Sequence, residues 1–168
     1  GENQKPVRIN GGDAFACNII GVNKGVRGKA GEIRGYFIED EPIGVICENT
    51  LAGVFGKITD GSFTDDLRKV RVGKARQGDA SIFSTVEGTK PKEYGISIVK
   101  VDDGAPENKN LVVKITDEKL LNKTGGILQG MSGSPIVQDG KIVGAVTHVF
   151  INDPTRGFGI AIEKMLGI

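Results

Sequence analysis

Short apolar runs rich in Val and Ile recur along this chain, each broken by Gly, Pro, Asn or Asp. That spacing predicts many short strands joined by tight turns. The runs place strands at Cys17 to Val22, Ile33 to Ile38, Ile43 to Cys47, Val54 to Ile58, Leu67 to Val72, Ile96 to Val101 and Leu111 to Ile115. In the last third, Pro135 to Gln138 and Lys141 to Phe150 flank an Asp139-Gly140 pair, the strongest short-range hairpin signal a sequence offers, and a type I′ turn fits it. After a loop at Asn152 to Arg156, Phe158 to Ile162 reads as a further strand, followed by a short terminal piece, Glu163 to Leu166.

One internal stretch reads as a helix. Asp117 and Glu118 precede Lys119-Leu120-Leu121, and acidic residues suit a helix N-terminus. It should span two turns at most and end by Gly125-Gly126. The segment Asn23 to Arg34 carries Lys24, Arg27, Lys29 and Arg34 among three glycines, and reads as a solvated hairpin rather than a basic binding loop.

Composition narrows the class. The chain has 168 residues, with 26 Gly and no Trp, enough for one domain with its own core. Together with the strand pattern this points to an all-β fold. Lys and Arg number 22 against 21 Asp and Glu, so charge gives no case for nucleic acid or an anionic membrane. No apolar run approaches the roughly 20 residues of a membrane-spanning helix. Cys17 and Cys47 lack metal-ligand spacing, so no metal or cofactor is expected, and both are read as buried free thiols.

The chemistry centres on Gly130-Met131-Ser132-Gly133-Ser134-Pro135. In a Gly-x-Ser-Gly-x-Pro turn, glycines let the backbone take conformations closed to other residues, so main-chain N–H groups can converge on one point. Ser132 would be a nucleophile and the N–H groups of Gly130 and Ser132 an oxyanion hole. A serine hydroxyl needs a base to take its proton, normally a histidine upstream of it in trypsin-like peptidases. The single histidine here, His148, comes after the serine.

The serine turn, the following hairpin and Gly157 to Ile162 together resemble the C-terminal half of trypsin-like peptidases. Read with Thr124 to Gln129, Gly144 to Phe150 and Asn152 to Thr155, the stretch closely resembles the stage IV sporulation protein B peptidases of endospore-forming bacteria. The resemblance continues through Asn23 to Glu32 and Ile115 to Leu121 and is weakest from Phe63 to Asn110.

The resemblance implies a trypsin-like (chymotrypsin-type) double β-barrel spanning residues 1–168, with an incomplete N-terminal barrel. It implies a serine endopeptidase in the space between the two membranes around the forespore, cutting a membrane-anchored regulatory protein so that pro-sigma-K is processed. The family's nucleophile falls on Ser132 and its triad aspartate on Asp117, whose competing reading is a helix N-cap. Thr147, His148 and Val149 fall on the strand that would bind substrate backbone. The family's catalytic histidine has no counterpart upstream of Asp117, nor do its membrane anchor and PDZ domain. The chain is therefore expected to be an inactive fragment with a barrel edge open to self-association. Two alternatives remain: a peptide-binding module derived from a peptidase, and a fragment of an HtrA-type peptidase.

Overall fold

The Asp139-Gly140 turn is the surest local structure in the chain. Both residues have positive φ, 51° and 70°, and Gln138 pairs with Lys141 across them, which is a two-residue type I′ hairpin. From this hairpin the fold can be followed outward in a computed structural model that describes residues 7–38, 41–61 and 69–168.

The strands, in chain order, are β1 (Gly12–Ala14), β2 (Cys17–Asn23), β3 (Gly31–Phe37), β4 (Gly44–Asn49), β5 (Val54–Ile58), β6 (Arg71–Val72), β7 (Gly78–Ser84), β8 (Lys92–Val101), β9 (Leu111–Ile115), β10 (Leu128–Gln129), β11 (Pro135–Gln138), β12 (Lys141–Phe150) and β13 (Asp153–Ala161). Among the described residues there are also the short helices α1 (Glu118–Thr124) and α2 (Ile162–Leu166) and a 3-10 turn at Glu107–Lys109. Of the strand expected at Leu67 to Val72, the part before Lys69 lies outside the described residues, and Arg71–Val72 forms β6.

The C-terminal half is a closed barrel of six strands. Its order is β11-β7-β8-β9-β13-β12, and β12 pairs back onto β11 to close the ring. Alternation along the strands sends one face inward, so Ile82, Ile96, Ile98, Leu111, Val113, Ile115 and Ile136 are all at most 1% exposed and form the core. Closure rests on non-local pairs such as Ile136 opposite Ile82.

The N-terminal half holds two three-stranded sheets, β1-β4-β5 and β10-β3-β2. In the second of these, β10 comes from the C-terminal half and runs parallel to β3, with Leu128 opposite Gly31 and Gln129 opposite Glu32. The chain thus leaves the N-terminal sheet at Gln129 and enters the barrel at Pro135. Everything between is the serine turn.

Two expectations are corrected, and one strand, β7, is added to those expected. Cys17 and Cys47 are free, as expected, but exposed rather than buried, because they sit on N-terminal strands with open outer faces. The loop drawn at Asn152 to Arg156 is mostly strand, since β13 begins at Asp153 and pairs with both β9 and β12; Ile162 already belongs to α2. Strand β7 had no distinct apolar run, because half of its inward positions are the small residues Ala80 and Ser84. The basic segment after Asn23 forms the expected β2–β3 hairpin, with Lys24, Arg27 and Lys29 exposed.

Candidate active site

Met131 and Ser132 face opposite ways, and this sets the site. Met131 is 1% exposed, anchored in the barrel core, and its sulfur accepts a hydrogen bond from the Leu128 N–H at 3.2 Å. Ser132, the next residue, is therefore turned out to solvent.

The turn is held by its backbone. Met131 N–H donates to Leu128 O at 3.1 Å, Ser134 N–H to Met131 O at 3.0 Å, and Gly133 N–H to Val146 O at 2.8 Å, while Val146 N–H returns a bond to Ser134 O at 2.9 Å. Among the described residues, these bonds leave the Ser132 N–H without a backbone acceptor. Gly130 and Gly133 have φ of +99° and +89°, which L side chains rarely adopt. A Cβ on Gly130 would also lie 3.2 Å from Ile33 Cβ, so β3 closes on the turn and a side chain there has little room.

The Ser132 hydroxyl donates to the carbonyl oxygen of Thr147 on β12 at 2.7 Å. Thr147 in turn donates its own hydroxyl to Asn108 O at 2.6 Å, tying the Glu107–Lys109 turn to the same strand. Ser132, Gly133, Thr147 and His148 share a cleft of about 920 Å³ whose other wall is the β4–β5 turn, Asn49 to Val54. The cleft lies between the two halves, where binding sites are often found.

His148 is exposed on the cleft wall and makes no hydrogen bond with Ser132, whose hydroxyl goes to Thr147. Partial burial, and next the positive charge of Lys109, hold the imidazole below its ordinary value of 6.5. Lys109 itself lies over the Phe158 ring, 5.6 Å from its centre.

Asp117 caps α1. Its carboxylate accepts the Leu120 N–H at 2.8 Å, and its own N–H donates to Gly95 O at 3.1 Å. It lies beside Tyr94, whose phenol is pushed up chiefly by burial, with Lys123 opposing and Asp117 and Glu87 adding to the rise. Lys123 and Glu87 form an ion pair at 2.9 Å.

The fold thus brings Ser132, Thr147 and His148 to one cleft. Asp117 is not among the residues that line it, and Val149 packs against the barrel core instead. Leu51, Val54, Asn108 and Lys109 complete the cleft without any warning in the sequence, because they are brought there from distant loops. The closest hint was the Thr50 to Gly53 turn between two apolar runs.

Residues 1–166 match the model of a peptidase family described as SpoIVB peptidase S55. Comparison with curated proteins and with solved structures gives no match.

Proposed function

The chain belongs to the SpoIVB peptidase family, and from that footing we propose that Ser132 is the nucleophile of a serine endopeptidase acting in sporulation. The observation that carries this is the Ser132 turn itself: an exposed hydroxyl held 2.7 Å from Thr147 O, over an inward-anchored Met131, in a cleft between the two halves.

In this reading Ser132 Oγ attacks the scissile carbonyl carbon and its proton passes to a base. The oxygen of that carbonyl becomes an anion, stabilised by the N–H groups of Gly130 and Ser132. The base then protonates the departing amine, and water releases the acyl group by the reverse sequence. The base is a histidine supplied from outside this chain, since His148 is its sole histidine and is not bonded to Ser132. Asp117 would orient that histidine, while its observed bond is the helix cap. Without the base the chain alone is idle.

The substrate is a membrane-anchored regulatory protein in the space between the forespore membranes, whose cleavage leads to pro-sigma-K processing. Among the described residues no helix is long and apolar enough to cross a membrane. Strands β1, β5 and β2 end their sheets and would support self-association of the chain.

The test is cleavage of the regulator's extramembrane segment by the full-length protein and by this chain. Cutting by the full-length protein that is lost in Ser132→Ala, with none by this chain, is expected. Robust cutting by this chain that disappears in His148→Ala would overturn the external base. Saturable peptide binding with no cleavage by either protein would favour the peptide-binding module instead.

A further inference from the structure

The cleft that holds Ser132 also presents apolar side chains that stay exposed among the described residues. Leu51 and Val54, at the β4–β5 turn, are 53% and 54% exposed and line the cleft. Exposed apolar groups gathered beside a nucleophile mark a surface awaiting an apolar partner.

The turn that carries them is rigid. Thr50 and Gly53 are bonded through their backbones, Thr50 N–H to Gly53 O at 2.8 Å and Gly53 N–H to Thr50 O at 3.3 Å. The Thr50 hydroxyl adds a bond to Gly53 O at 3.1 Å and accepts from the Ala52 N–H at 3.1 Å. Gly53 has φ +148°, and a Cβ there would lie 3.1 Å from the Met165 methyl, so the turn is seated on α2. Leu51 and Val54 are thus held in place before any ligand arrives, which lowers the entropy lost on binding.

Charge supplies the second half of the argument. The charged or titratable side chains lining the cleft are Lys109 and His148, and no Asp or Glu is among the described residues that line it. The Lys109 position is fixed by the Thr147 bond to Asn108 and by the Phe158 ring beneath the ammonium. The β4–β5 turn therefore contributes the exposed apolar groups Leu51 and Val54, and the segment around Asn108 contributes one cation, Lys109.

We propose that this cleft selects an extended peptide with a bulky apolar side chain seated against Leu51 and Val54, and a carboxylate side chain a few residues away facing Lys109. The proposal rests on the peptidase reading only in taking this cleft, past Ser132, as the path of the substrate.

The experiment uses fluorescent extended peptides in four versions: Leu with Glu, Ala with Glu, Leu with Gln, and Leu with Lys. Binding to the Ser132→Ala chain is read by anisotropy, and cleavage by mass spectrometry with the active full-length protein. The Leu–Glu peptide should bind most tightly. Lys109→Glu should reverse the charge preference, weakening the Glu peptide about tenfold and favouring the Lys one. Leu51→Ser should weaken Leu peptides about tenfold and leave the Ala version unchanged. Leu51 is exposed and Lys109 half-buried, and an unchanged melting temperature checks that the variants fold.

Equal binding of all four peptides, binding of none, or no reversal in Lys109→Glu would overturn the proposal. Cleavage without sequence preference would overturn it while leaving the peptidase intact. The predicted preference without cleavage would sustain it and remove the peptidase reading.

Discussion

The Ser132 hydroxyl and the Thr147 carbonyl oxygen are 2.7 Å apart, joined by a hydrogen bond from the serine turn to the strand β12 beside it. A carbonyl oxygen holds a hydroxyl but does not remove its proton. The bond therefore sets the serine's position, and if Ser132 is the nucleophile its hydroxyl must swing to a stronger base before it can attack. With a base in reach, Ser132→Ala should lower cleavage by several orders of magnitude and leave peptide affinity unchanged. Turnover and binding measured on the same substrate check this.

Asp117 separates charge from capping. Asparagine caps a helix as well as aspartate, whereas alanine does not. If Asp117 orients the external histidine, Asp117→Asn should keep the melting temperature and lower turnover in the full-length protein by roughly 10⁴-fold. Asp117→Ala should in addition lose about 1 kcal/mol of stability. Full activity in Asp117→Asn would confine the residue to its cap on α1.

The single imidazole reports the cleft. Burial and Lys109 lower the His148 pKa below 6.5 in the folded chain, so the unfolded chain binds more protons in the interval just under 6.5. Stability from this group is then fully present above that value and is lost as pH falls from it through the lowered folded value. His148→Gln should flatten this part of the pH–stability curve, read by denaturant unfolding at several pH values. Lys109→Gln should raise the imidazole titration, followed by NMR without any assignment problem because there is one histidine.

Barrel closure sets the stability of the C-terminal half. Ile136 and Ile82 are both fully buried and face each other where β11 meets β7. Ile136→Ala should cost about 2–5 kcal/mol, measured by chemical denaturation. Val70→Ala, at a 49% exposed position, should change little.

Local chemistry was legible in the sequence. Asp139-Gly140 fixed its own hairpin because both positions need positive φ, Asp117 fixed a helix start because its side chain reaches its own third amide, and the glycines around Ser132 fixed a turn only they can make. The resemblance of that turn and its neighbours reached the family before any coordinate did. What tertiary structure alone decided was non-local. The pairing of β10 with β3, the pairing of β11 with β7 and the presence of Leu51 and Lys109 in one cleft join residues far apart in the chain. Such contacts depend on the sum of all strand pairings, and no single segment carries their signal. So the sequence determined that Ser132 would stand on a glycine-flanked turn, and the fold decided that this turn would line a cleft shared with Leu51, Val54 and Lys109.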